Sequence, residues 1–203
     1  MVKETPPLEM IVIGGHPGSG KSTLGKLLAK QLHYAFLDKD EITASFAEAL
    51  LQCLGCRRTD RESSTYVQQV KPLEYRSLLE AAYAQLEVGQ SVVCAAPFTT
   101  PFHQPHAMEC IGDTAGFYGA RLRMIWVHAS EAERHRRVVQ RNADRDVWKI
   151  GYWHEYVQLL PARLPEVENM VLTENPDGDI RVNYLSLTQK LQLAAPVPEI
   201  LNG

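Results

Sequence analysis

Long hydrophobic runs are missing from this 203-residue chain. No window approaches the roughly 18 consecutive apolar residues of a membrane-crossing helix. Met1 to Glu9 holds Pro6, Pro7 and three charged residues, so it has no apolar core of a signal peptide. The expectation is a cytoplasmic protein with a flexible segment over 1–9 and no membrane partner. Cysteine is scarce: four residues make no disulfide framework, which agrees with a reducing compartment. The pair Cys53 and Cys56 has no partner pair and lies where a helix ends, so packing of Cys53 is preferred to zinc or redox work. Charge of either sign is not in large excess. A net charge of −3 gives no general pull toward nucleic acid, which is not an expected partner. No Asn-Lys-x-Asp occurs, and Asp113-Thr114-Ala115-Gly116 follows no buried strand, so a GTPase switch is set aside. Internal repeats and low-complexity tracts are also absent.

What is present is one domain's worth of chain, 45% hydrophobic and 22% charged, organised around Gly15-His16-Pro17-Gly18-Ser19-Gly20-Lys21-Ser22-Thr23. An apolar run, Met10 to Ile13, precedes this stretch. Leu24, Leu27, Leu28 and Leu32 follow on one helical face. Strand, glycine loop and helix in that order are the setting of a P-loop. Glycines let consecutive N–H groups curl around phosphate oxygens, Lys21 reaches the β- and γ-phosphates, and Ser22 places its hydroxyl on Mg²⁺. Gly15 to Thr23 are therefore the expected nucleotide-binding residues, although His16 sits at a variable position and receives no catalytic role.

Tyr34 to Leu37 reads as a second strand ending in Asp38-Lys39-Asp40. Ile42, Phe46, Ala49, Leu50, Cys53 and Leu54 then predict a helix with that apolar face inward, stopped by Gly55. The arginine-containing segment Cys56 to Thr65 reads as a loop or lid edge. A helix after Pro72 repeats at Tyr75, Leu78, Leu79, Ala82, Tyr83 and Leu86, and Ser91 to Ala95 is a buried strand. After a Pro-rich connection come a helical stretch over 108–118 and a strand from Leu122 to Val127. Ser130 and Glu133 form a capping box that opens a helix to about Arg141. A further helix is expected over Asp146 to Leu160, a last strand over Val167 to Leu172 and a last helix over Ile180 to Leu193. Such alternation predicts a parallel sheet with helices on both faces, one domain spanning 10–194 and a loose tail over 195–203.

Ligands in such sheets gather outside the carboxyl ends of the strands. Asp38 and Asp40 lie at that edge. Two apart in extended chain, both carboxylates face the phosphates, one to hold Mg²⁺ and the other to take a hydroxyl proton; the bland alternative makes Asp40 the cap of the next helix. Arg134, Arg137 and Arg141 share one helical stripe, with Arg136 off it and Arg145 beyond. A solvated face is the plain reading of arginines at this spacing, but after the fourth strand of a P-loop protein they read as phosphate clamps. His103, His106 and Cys110 have ligand-like spacing, but follow a Pro-rich loop. The aromatic residues Trp126, Tyr152, Trp148, Trp153 and Tyr156 read as core and lid packing.

Gly15 to Ser22, Asp38 to Asp40, Ala96-Pro97-Phe98 and the segment Arg137 to Arg141 through Arg145 to Lys149 together resemble P-loop kinases. The likeness is to the group of zeta toxin, chloramphenicol phosphotransferase and gluconate kinase, and within it to AAA-type ATP-binding proteins. It covers Met10 to about Leu172. It implies a P-loop NTPase fold with a five-stranded sheet in the order 2-3-1-4-5, an Arg-rich helical lid over about 130–160, and ATP with Mg²⁺. It also implies phosphoryl transfer to a hydroxyl of a small acceptor such as a sugar, nucleoside or antibiotic. Lys21, Asp40, Arg137 and Arg141 take the catalytic roles, Arg145 joins the nucleotide-binding arginines, and Ser22 and Asp38 serve the metal. Relatives often carry an acid at the end of strand three, where this chain has Ala95 and Ala96, which shifts work onto Asp38 and Asp40. Two other readings compete: a slow ATP-hydrolysing regulator, and a nucleic-acid end kinase whose Arg57, Arg58 and Arg61 join the lid in a basic channel.

Overall fold

A computed structural model describes residues 7–175, 187 and 189–191. Residues 1–6, most of the helix expected over Ile180 to Leu193 and the tail over 195–203 lie outside the described residues. Strand β1 (Leu8–Gly14) starts ahead of its apolar run because Leu8 and Glu9 pair in register with Ala120 and Arg121. Along β1 the side chains alternate: Met10 and Val12 enter one core cluster, Ile11 and Ile13 another. Both faces are covered, which is why the strand reads as an unbroken apolar run.

The chain continues through α1 (Lys21–Leu32), β2 (Ala35–Asp38), α2 (Lys39–Cys53), a π-helical turn at Tyr66–Val70 and α3 (Lys71–Glu87). Next come β3 (Val92–Ala95), the short α4 (Thr99–Phe102), α5 (Pro105–Phe117), β4 (Ala120–His128) and α6 (Glu131–Arg141). A 3-10 turn at Asp144–Asp146, α7 (Val147–Gly151), α8 (Trp153–Gln158) and β5 (Met170–Glu174) complete the described elements. All pairings are parallel, in the order β2-β3-β1-β4-β5. Leu78, Ala82 and Leu86 of α3 with Met108, Ile111 and Ala115 of α5 cover one face; Leu24, Leu28 and Ala29 of α1 with Leu187 and Leu191 cover the other. Among the described residues no helix is long and apolar enough to cross a membrane.

Three elements differ from the sequence pattern. In α2 the buried positions are Lys39, Thr43, Ala47 and Leu51, while Ile42 and Phe46 are exposed. The helix turns a polar stripe inward because Glu74 of α3 supplies buried partners: Thr43 Oγ1 donates to its Oε1 at 3.0 Å, and Lys39 Nζ lies 3.2 Å from Oε2. The helix expected over Asp146 to Leu160 is broken into three pieces, with Tyr152 off helical geometry at φ −131° and ψ 49°. The last strand lies slightly later than its pattern, since only Met170 onward finds register with β4. By contrast, the cap of α6 is as its sequence indicates, with Glu133 N donating to Ser130 Oγ at 3.3 Å.

Candidate active site

The P-loop connects β1 to α1 at the carboxyl edge of the sheet. Gly18 has φ +82° and Gly20 φ +97°, and added Cβ atoms there would run into the Arg134 carbonyl at 2.5 Å and the Asn175 side chain respectively. Glycine is thus required twice over, by the turn and by the close approach of α6 and the end of β5. Gly20 is the N-cap of α1 and offers no side chain, so the first N–H groups of a twelve-residue helix are left for an anion. Half-buried Lys21 has its pKa pushed down to about 8, chiefly by desolvation, against the pull of Asp40 and Asp38. A cation in that condition is short of counter-charge, and a phosphate would supply it. His16 is buried edge-on to Trp126 at 5.3 Å, and burial first, then Arg134 and Lys21, hold its pKa at about 3, so it stays neutral.

Asp38 and Asp40 do meet the site, but not by lying two apart in a strand. β2 ends at Asp38, and Asp40 is already in the first turn of α2. The cap is Asp38, whose Oδ1 accepts from Asp40 N at 2.9 Å, and not Asp40. The other oxygen of Asp38 accepts from Ser22 Oγ at 2.5 Å. Two hard oxygen donors side by side at the P-loop edge suit Mg²⁺. Asp38 pairs in register with Ala95, so the acid missing from the end of β3 stands one strand over at the same level. Asp40 is clamped by Lys39 at 2.8 Å and Arg145 at 3.4 Å. Burial opposes its charge, yet Lys39, Arg145 and Lys21 outweigh that and hold the carboxyl far below the ordinary range.

The arginine stripe divides into different environments. Arg134 is buried, its guanidinium 5.8 Å from the Trp153 ring centre, and its Nε and Nη1 have no hydrogen-bond partner among the described residues. Arg137 grips the outside of the P-loop: Nη1 donates to the Gly18 and Ser19 carbonyls at 3.3 and 3.2 Å, Nη2 to Asn175 O at 3.0 Å, and Nε to Glu133 at 2.6 Å. Arg141 and Arg145 line a cavity of about 500 Å³ together with Lys21 and Asp40. Arg141 holds Asp146 through Nε and Nη2, at 2.9 and 2.6 Å. Arg136 is exposed and paired to Glu133. Of the loop arginines, Arg58 is paired with Asp144 and Glu48, while Arg61 lines the cavity.

Sequence reading missed Lys39 and Glu74, which are 2% and 1% exposed and form the platform beneath Asp40. Tyr66 OH completes it by donating to Glu74 Oε2 at 2.7 Å, with its own pKa raised by burial and by that carboxylate. Nothing in the helical patterns marks these residues, since an acid in α3 reads as surface. Asn175, whose side chain donates to Ser19 O at 2.8 Å, could have been found from its place just past the last strand. His103 lines the cavity, its ring nitrogens facing the Thr99 and Arg163 carbonyls. His106 and Cys110 are exposed near each other, and no group of three or more potential metal-ligating His, Cys, Asp or Glu occurs among the described residues.

Residues 10–149 match the family described as AAA domain. Solved structures with the same fold include a sugar kinase from Janibacter sp. HTCC2649, with a TM-score of 0.62, 16% identity and coverage of 93% of this chain and 96% of that one. A shikimate kinase from Bacteroides thetaiotaomicron aligns with a TM-score of 0.58 and 15% identity over 91% of this chain and 99% of its own. A gluconokinase from Sinorhizobium meliloti 1021 aligns at 0.56 and 17% over 92% and 93%. Among curated proteins, the pentafunctional AROM polypeptide of Schizosaccharomyces pombe is 47% identical over 38 residues, which are 19% of this chain and 2% of that polypeptide.

Proposed function

The chain belongs to the AAA domain family, and on that footing we propose that it is an ATP-dependent kinase acting in the cytoplasm on a hydroxyl of a small acceptor, such as a sugar, nucleoside or antibiotic. The observation that carries the reading is the meeting of Lys21, Asp40, Arg141 and Arg145 around one cavity at the carboxyl edge of the sheet. The similar folds of three structures described as small-molecule kinases support it.

In this reading the triphosphate lies in the P-loop, its γ-phosphate held by Lys21 and by Arg141 and Arg145, the arginines of a lid over about 130–160. Arg137 contributes by fixing the carbonyl side of the loop. Ser22 and Asp38 would hold the magnesium that accompanies ATP, which would neutralise part of the phosphate charge. The acceptor oxygen attacks phosphorus in line, the bond to the ADP oxygen breaks, and the hydroxyl proton passes to solvent water once the new bond has formed. A carboxylate held as low as Asp40 is a weak base, so its work is to accept the hydroxyl's hydrogen bond and aim the lone pair. Proton loss then comes late, as suits a loose transition state. Catalysis is positioning and charge neutralisation, without a covalent intermediate on the protein.

The test is ADP release from ATP and Mg²⁺ by purified protein, with and without a panel of hydroxylated metabolites. A rise confined to particular hydroxyl compounds supports the kinase. Slow turnover that no acceptor changes would replace it with the ATP-hydrolysing regulator.

A further inference from the structure

The cations of the 500 Å³ cavity are unequally provided for. Lys39 and Arg145 share Asp40, and Lys149 lies 2.8 Å from Glu62. Arg141 holds Asp146, and Lys21 belongs to the P-loop. Arg61 and Lys71 remain. Neither forms an ion pair among the described residues, though both line the cavity. Arg61 is held in place, Nη1 donating to the Arg58 and Asp60 carbonyls at 3.1 and 2.9 Å and the guanidinium 5.3 Å from the Tyr66 ring centre. That leaves Nε and Nη2 as a fork. Lys71 is half-buried, and desolvation with the repulsion of Lys39 lowers its pKa against the weaker pull of Glu74. Glu74 cannot serve it further, being engaged by Thr43, Tyr66 and Lys39.

Two partly buried cations that lack an ion-pair partner among the described residues favour an anion in the cavity. The P-loop has its own lysine and helix end for the triphosphate. Arg61 and Lys71 instead come from the loop after α2 and the start of α3. We propose that they form an anion subsite of the acceptor, so that the acceptor is a hydroxylated acid, either a carboxylate or a phosphate ester, whose charged group docks there while its hydroxyl reaches Asp40. The subsite rests on the kinase reading for its purpose, but the charge argument stands on the cavity itself.

Two measurements keep the claims apart. Binding of matched trios, a neutral polyol, its carboxylic acid and its phosphate ester, is followed by calorimetry on the full chain with a non-hydrolysable ATP analogue and Mg²⁺. At least one acid is expected to bind about 10- to 100-fold more tightly than its neutral counterpart, and the trio shows which anion it is. Lys71→Met and Arg61→Gln are each expected to remove most of that preference, Lys71→Arg to restore much of it, and Lys71→Glu to invert it. Circular dichroism checks that each variant is folded; if one is not, the others carry the test. Equal binding of neutral and anionic members, or a preference that survives both neutral variants, overturns the subsite. ADP release with the same trios is the second measurement. Anion preference in binding with no acceptor-stimulated ADP release sustains the subsite and removes the kinase reading. Stimulation by neutral compounds as strong as by their acids does the reverse.

Discussion

Replacing Lys21 by methionine should destroy phosphate binding and yet make the nucleotide-free protein more stable. Methionine keeps the length and most of the volume of the stem and removes the charge, which is electrostatically close to deprotonating the lysine. The ammonium has an ordinary pKa of 10.5 and is pushed down to about 8 in the fold. At about 1.4 kcal/mol per unit, this lysine costs the nucleotide-free protein about 3 kcal/mol at neutral pH, and its partial contact with solvent reduces that to roughly 1–3 kcal/mol. For a chain of this length the gain in melting temperature is roughly 2–10 °C. The sign comes from proton counts. Between pH 8 and 10.5 the unfolded chain holds the proton and the folded one does not, so wild-type stability rises through that window and the advantage of methionine fades. Thermal unfolding at pH 7 and pH 10.5 reads both effects. A saturating nucleotide at about 100 times its dissociation constant should add about 2.7 kcal/mol to wild type and little to the variant. A variant that melts below wild type at pH 7 without nucleotide, or whose gain persists undiminished at high pH, would refute the desolvation argument.

The same lysine makes ATP affinity depend on pH: below about 8 it is already charged, above that binding must take up a proton, so the dissociation constant should rise up to about tenfold per unit, which titration calorimetry in buffers of different ionisation enthalpy detects. Asp40→Asn should lower transfer about 10²- to 10⁴-fold with a much smaller change in nucleotide affinity. Equal losses in both would make Asp40 a structural or metal residue. Arg137→Ala removes four hydrogen bonds, three of them to carbonyls that hold the P-loop to α6 and the end of β5, and should cost about 1–3 kcal/mol in urea unfolding. Unchanged stability with a fall in turnover alone would show that Arg137 acts on the nucleotide directly.

Much of this architecture was legible because local patterns and the sheet agree. The centre of β1 and all of β3 are apolar since helices cover both faces, and Gly18 and Gly20 stand where the Arg134 backbone and the Asn175 side chain leave no room. Asp38 and Asp40 were found by position at the strand edge, although the geometry joining them is a helix cap and not a strand repeat. Illegible were the residues whose burial is decided by another element. Lys39 and Thr43 face inward only because Glu74 meets them from α3, and no periodicity within α2 could report a partner 31 positions away. The arginines were legible as a group and not individually, since the stripe alone could not tell Arg137 on the loop's carbonyls from Arg141 in the cavity.

The contact between Gly18 and the Arg134 carbonyl, seconded by Arg137, bolts α6 to the phosphate loop along its middle. The helix ends at Asn142 in a left-handed turn, φ 45°, and the flap beyond it is held to the rest by side-chain pairs such as Arg145 with Asp40 and Lys149 with Glu62. A swing of this segment would also have to part Trp153 from α6, where it stacks on His135 and donates to Glu131, and Asp146 from Arg141. Arg145, unlike Arg141, is paired to Asp40 among the described residues, so an entering triphosphate that draws Arg145 away would free that carboxylate for the acceptor in the same stroke.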